Sequence, residues 1–172
     1  TLALGQTTTC TITNDDQQGT LVVEKVLTQN NGGTESYDDF SFTIDGGEAI
    51  PFDVDGVNEI ALDAGTYDVE ELEFYGYTTS YEGCTDVVVT NGGEATCTIT
   101  NDDIAPKLKL QKVVVGGPLA ANAWNLKATG PTTISANGGV TSGPTFQAGE
   151  YTLTETSANG YAIHYTTDGV WS

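Results

Sequence analysis

The chain has no methionine and no arginine, one histidine, and five cationic side chains among 172 residues, all of them lysine. Without a basic patch it cannot neutralise a run of phosphates, which argues against nucleic acid as a partner. His164 stands alone and no Cys-x-x-Cys pair occurs, so no Cys/His metal pattern and no nucleophile–base pair can be read. An enzyme in the turnover sense is therefore not expected. No apolar run is long enough to cross a bilayer, so membrane insertion is not expected either. No heptad or helical stripe appears.

What the chain does have is glycine, threonine, asparagine and aspartate, with frequent valine and tyrosine. Short alternating runs separated by Gly-Gly, Asn-Gly and Asp-Gly predict an all-β chain of small sandwiches. Net charge is −19, unevenly spread. Residues 17–104 carry 19 carboxylates against Lys25 alone, whereas residues 105–172 carry three carboxylates and four lysines. Such acidity keeps a secreted protein soluble. The Asp15-Asp16 and Asp102-Asp103 pairs are the candidate Ca²⁺ ligands at a domain junction, although no EF-hand spacing supports them. Otherwise no cofactor is expected.

One string occurs twice, Cys-Thr-Ile-Thr-Asn-Asp-Asp, at Cys10–Asp16 and at Cys97–Asp103. In a β-protein it reads as a last strand running into a linker. Other segments repeat as well. Gly65-Thr-Tyr-Asp-Val-Glu-Glu71 matches Gly149-Glu-Tyr-Thr-Leu-Thr-Glu155, and a Gly-Tyr pair follows each, at Gly76-Tyr77 and Gly160-Tyr161. Leu21–Lys25 matches Leu108–Lys112, and Phe40 matches Trp124 as a core aromatic. The period of roughly 85–87 residues is that of a tandem array of small sandwiches. The expected organisation is a strand at 1–16, a complete sandwich at 17–104 and an incomplete sandwich at 105–172 that lacks its own last strand. Cys84 and Cys97 both fall in the complete repeat and are the expected disulfide. Cys10 is the counterpart of Cys97 and is left over.

Side chains alternate across a strand. Leu21, Val23, Lys25 and Leu27 therefore share a face, as do Tyr67, Val69 and Glu71, and Cys97, Ile99 and Asn101. A lysine, a glutamate and an asparagine thus lie in phase with core residues. The second repeat reproduces the pattern with Leu108, Leu110, Lys112 and Val114, and with Tyr151, Leu153 and Glu155. The leading segment supplies Cys10, Ile12 and Asn14. An ion buried without a partner is costly, so the triple calls for a reason. Two readings stand. One is a Lys–Glu ion pair with asparagine as hydrogen-bond filler. The other is covalent: a desolvated, neutral lysine attacks the asparagine carbonyl carbon while the glutamate polarises it and shuttles protons.

A strand lysine, a Gly-x-Tyr-x-Val/Leu-x-Glu strand, a following Gly-Tyr and a closing Ile-Thr-Asn together resemble the prealbumin-like, Cna-B-type (SpaA-like) domains of bacterial surface adhesins and pilins. The resemblance spans both repeats. It implies Ig-like sandwiches and a spontaneous Lys–Asn isopeptide bond assisted by the acid. Carried over, the sets are Lys25, Glu71 and Asn101, and Lys112 and Glu155 with an Asn14. The paired cysteines depart from many such domains and offer a different staple.

Two accounts of the leading strand remain. Either the chain is an excerpt of a longer tandem-repeat adhesin stalk, or residues 1–16 of one subunit complete the open second sandwich of the next. The second account is donor-strand complementation, and it yields a head-to-tail homopolymer. The expected function is a structural subunit of an extracellular filament, pilus or cell-surface stalk. The rival is a carbohydrate- or Ca²⁺-binding sandwich module. No host or surface ligand can be named from the sequence.

Overall fold

The computed structural model describes residues 2–167 and 170–171. Every described element is a strand except two single 3₁₀ turns, at Tyr37–Asp39 and Ala121–Ala123. The chain divides into two compact units. One gathers the chain up to Val26 with residues 36–73 and 79–100; the other gathers residues 27–35, 74–78 and 101 onward.

The first repeat contributes β1 (Gly19–Thr28), β2 (Ser41–Ile44), β3 (Ile50–Pro51), β4 (Val57–Leu62), β5 (Gly65–Tyr67), β6 (Val69–Glu71), β7 (Tyr77–Glu82), β8 (Val87–Val89) and β9 (Glu94–Asp103). Its main sheet has the order β4-β1-β9-β7, so the first and last strands are neighbours. β1 and β4 run antiparallel with Leu21 opposite Ile60 and Val23 opposite Asn58. A second layer is built from β3-β2-β6 and the β5-β8 pair. Leu21, Val23, Phe42 and Ile99 are fully buried between the layers, and the Phe42 and Phe52 rings lie 4.9 Å apart. Fully burying one such side chain contributes about 1.5–3 kcal/mol.

The stretch from Thr66 to Leu72, expected as one strand, is two. β5 pairs with β8 and β6 pairs with β2, and the chain changes partner at Asp68. Asp68 N–H donates to Asp45 Oδ1, the Asp68 carbonyl accepts from Asp45 N–H, and Asp68 Oδ1 accepts from Asp86 N–H, each at 2.8 Å. Three aspartates thus satisfy the backbone where the ladder breaks.

The second repeat contributes β10 (Lys109–Gln111), β11 (Asn125–Thr129), β12 (Ile134–Asn137), β13 (Gly139–Thr141), β14 (Thr152–Glu155), β15 (Thr166–Thr167) and β16 (Val170–Trp171). Its sheets are β10-β13, β12-β11-β14 and β15-β16. Trp124, Ala128 and Phe146 are its most buried apolar residues. Both Gly-Tyr pairs are turns whose glycine has positive φ, 91° at Gly76 and 85° at Gly160, a conformation glycine adopts without steric cost.

Residues 2–18 form no strand and are exposed throughout. The expected leading strand is therefore unpaired within this chain, and a strand without a neighbour cannot satisfy its backbone except with water. Leu153, expected to face inward with Tyr151 and Glu155, is 42% exposed, whereas its counterpart Val69 is 3% exposed. Val69 N–H donates to the Cys84 carbonyl at 2.8 Å, in a segment the second repeat does not reproduce among the described residues.

Candidate functional site: two lysine–glutamate pairs

Lys25 lies on the inward face of β1, as the alternation predicts, and its side chain is 0% exposed. Glu71, the last residue of β6, meets it: Lys25 Nζ donates to Glu71 Oε2. Thr79 Oγ1 on β7 donates to the other carboxylate oxygen, Oε1, at 3.1 Å. The ammonium position is 4.1 Å from the centroid of the Phe40 ring and 5.0 Å from that of Phe52. Burial among these groups lowers the Lys25 pKa to about 7.

Energetically this pair is poised. Each buried ion costs several kcal/mol of lost hydration, and the mutual attraction repays that only in part. A reaction that removes the ammonium charge removes much of the penalty. Asn101 is 0% exposed and lies on β9, the strand next to β1 in the main sheet.

The same arrangement recurs in the second repeat with one difference. Lys112 Nζ donates to both oxygens of Glu155, at 2.9 and 2.8 Å, and sits 4.8 Å from the Trp124 ring. Here the lysine side chain is 15% exposed and the glutamate 6%. Among the described residues no counterpart of β9 lies beside β10, which pairs there with β13 alone. Asn14 lies in the exposed leading segment.

Cys84 and Cys97 are joined as a disulfide, and Cys10 is an exposed free thiol. The disulfide closes a loop of 13 residues' separation, worth about 3 kcal/mol in the chain-entropy account.

Asp103, read from sequence as half of an acidic linker pair, has another use. Its Oδ1 accepts from the backbone N–H of Asn30 at 2.9 Å and of Asn31 at 3.0 Å, and its Oδ2 from Gly33 N–H at 2.7 Å. A Cβ at Gly33 would collide with the Tyr77 hydroxyl and the Asp103 carboxylate, so only glycine allows this approach. The loop so held is tied in turn to residues further on: Asn31 Nδ2 donates to the Pro144 carbonyl at 3.0 Å, and Ala148 N–H donates to the Asn31 carbonyl at 2.6 Å. Among the described residues no three His, Cys, Asp or Glu side chains gather as a metal set. Asp15, Asp16 and Asp102 are exposed.

Sequence reasoning missed Phe52, Thr79 and the clamp at Asp103. The last was within reach, since 97, 99, 101 and 103 continue one alternation and Asp103 is 7% exposed.

Comparison with known proteins bears on the fold and the family. Among solved structures, a chain described as the Bacillus anthracis TIE protein matches with a TM-score of 0.58 and 21% identity, over 86% of this chain. The chain spans 30% of that longer protein, and the likeness is one of fold. No curated protein matches. The prealbumin-like fold domain family (SpaA_2) matches residues 16–99 and again residues 103–172. With nearly the whole chain covered by two copies of that domain, the chain belongs to the prealbumin-like fold domain family.

Proposed function

We propose that this chain is a structural subunit of an extracellular filament, pilus or surface stalk, built head to tail, whose first repeat is locked by an amide bond between Lys25 and Asn101. The observation that carries the reading is the fully buried Lys25–Glu71 pair between two aromatic rings, on the strand next to the one that bears buried Asn101. Lys25 first gives one ammonium proton to Glu71, and the neutral amine then attacks Cγ of Asn101. A second amine proton is relayed through the Glu71 carboxyl to Nδ2, the Cγ–Nδ2 bond breaks, ammonia leaves, and Glu71 remains protonated. The charged pair is replaced by a neutral amide and a protonated acid, which suits a site without water.

The product joins the first strand of the sandwich to the last. Pulling on the ends of such a repeat loads a covalent bond rather than a ladder of hydrogen bonds. Closing a loop of roughly 75 residues contributes about 4–5 kcal/mol in the same chain-entropy account that applies to disulfides. The disulfide supports an oxidising, extracellular setting. The acidic first repeat keeps such a surface protein soluble. The chemistry is one self-directed event, without turnover.

The test is the intact mass of the unfolded, reduced chain beside its Lys25→Met and Asn101→Ala variants. The wild type is expected to be lighter than its sequence by one ammonia, with a branched peptide joining Lys25 to Asn101. Both variants are expected at full sequence mass. A wild-type chain at full mass would overturn the crosslink and leave an unreacted ion pair.

A further inference from the structure

Glu71 is held from two sides. It closes β6, opposite Phe42 on β2, and β7 in the other layer supplies two hydroxyls to it. Tyr81 Oη accepts the Glu71 N–H at 3.2 Å, and Thr79 Oγ1 donates to Oε1 at 3.1 Å. Lys25 Nζ donates to Oε2. An ammonium that can give its proton away thus meets one oxygen, and a hydroxyl that keeps its proton meets the other. The Lys25 and Glu71 side chains are 0% and 1% exposed, so the donors around the carboxylate, and not bulk water, set its orientation.

The second repeat has the same ion pair without this hydroxyl. Glu155 lies opposite Leu126 as Glu71 lies opposite Phe42, and Lys112 Nζ donates to both its oxygens, at 2.9 and 2.8 Å. Counted from the shared Gly-Tyr pair, Gly76-Tyr77-Thr78-Thr79 matches Gly160-Tyr161-Ala162-Ile163, so an isoleucine stands where Thr79 does. A lysine–glutamate pair therefore assembles in this fold with no hydroxyl at that position. What the hydroxyl adds is a choice between the two oxygens. We propose that Thr79 is a positioning residue for the self-crosslinking of the first repeat: its hydroxyl pins Oε1 of Glu71 and so makes Oε2 the oxygen that handles the protons. The proposal rests on the Lys25–Asn101 crosslink proposed above and names what orients its acid.

Oε2 takes the first proton from Lys25 Nζ, and the neutral amine bonds to Cγ of Asn101. As the Cγ–Nδ2 bond breaks, Oε2 gives that proton to Nδ2 and takes the second from the nitrogen that becomes the amide. Ammonia leaves, Glu71 stays protonated, and Thr79 ends with the proton it began with. The Thr79 bond has two opposed effects on this sequence. By favouring the charged carboxylate it weakens Glu71 as a base. By fixing the carboxylate it keeps the proton path in one geometry, and a misplacement of about 1 Å in such a path costs on the order of 10²-fold in rate. The second effect outweighs the first, because the Lys25 ammonium needs little pull: burial has already lowered its pKa to about 7.

The full chain is made by cell-free translation under oxidising conditions, chased, and unfolded at intervals, and peptide mapping scores the Lys25–Asn101 branched peptide against time. Thr79→Val keeps the shape of the side chain and loses the hydroxyl, whereas Thr79→Ser keeps the hydroxyl and loses the methyl group. Thr79→Val is expected to form the bond at least about tenfold more slowly than the wild type, and Thr79→Ser within about threefold of it. A packing role would give the reverse order. Near-ultraviolet circular dichroism reports whether each variant folds. Where valine unsettles the fold, Thr79→Ser is set against Thr79→Ala, a pair that differs by the hydroxyl alone, and the same gap of about tenfold is expected. Valine at the wild-type rate or faster, or serine as slow as alanine, would overturn the role of Thr79 and leave the crosslink standing. No branched peptide in any chain, the wild type included, would overturn the crosslink itself and this role with it.

Discussion

Lys25 and Lys112 stand at the same position in the first strand of their repeats. Each is paired with a glutamate and lies over an aromatic ring, yet their side chains are 0% and 15% exposed. A glutamate and an aromatic ring meet each lysine, and Lys25 has a second ring, Phe52, nearby. What differs is the neighbour beyond them: β9, with Cys97, Ile99 and Asn101 all fully buried, lies next to β1, and among the described residues nothing takes that place beside β10. A single strand therefore does two jobs in this fold. It completes the core, and in the proposed crosslink it supplies the residue that would convert an ion pair of little net stabilising value into a bond. In the second repeat the Lys112–Glu155 pair is assembled although, among the described residues, β10 pairs with β13 alone.

The largest expected contrast comes from removing each lysine. Lys25→Met leaves Glu71 buried without its partner and prevents the crosslink, and should cost about 3–5 kcal/mol or more. Lys112→Met in the monomer should cost about 1 kcal/mol, because its glutamate is nearer to water. Denaturant midpoints of the two variants measure the difference, and equal losses would break the comparison. Next comes the disulfide, present only in the first repeat. Cys84→Ala with Cys97→Ala should lower the stability of that repeat by about 3 kcal/mol, leaving the Lys25–Asn101 mass signature in place. Loss of that signature would mean that the disulfide must form first.

The smallest effect is a pH dependence, visible where the amine persists. Burial holds the unreacted Lys25 pKa at about 7, below its ordinary value of 10.5, and Asn101→Ala keeps that amine unreacted. Between those values the unfolded chain binds the extra proton, so stability rises with pH from about 7, by roughly 1.4 kcal/mol per unit at most, and this contribution is flat below 7. Urea titrations of Asn101→Ala from pH 6 to 9 measure this. The wild type, its amine consumed, should lack the rise, and a wild-type curve with the same slope would show that the amine is still there.

Much of this was legible in the sequence because the controlling pattern is local. Alternation placed Lys25, Glu71 and Asn101 inward, repetition separated the two sandwiches, and the same repetition paired Cys84 with Cys97. What stayed hidden depends on partners far along the chain. Nothing within Thr66–Leu72 marks Asp68 as the point where a strand changes sheets; that follows from Asp45 and Asp86, both at positive φ, which bond to it across 23 and 18 residues. Asp103 looks like a solvated linker charge until the loop at 30–33, some 70 residues earlier, brings three N–H groups to it. Leu153 has the spacing of a core residue but is 42% exposed. Alternation fixes the face a side chain takes and not whether anything covers that face.

The most direct measurement is a peptide map of the purified monomer that scores both lysines in one sample. The account predicts Lys25 joined to Asn101 throughout, and Lys112 with an unmodified amine. An unmodified Lys25 in the folded monomer, or a Lys112 already joined to a residue of its own chain, would contradict it.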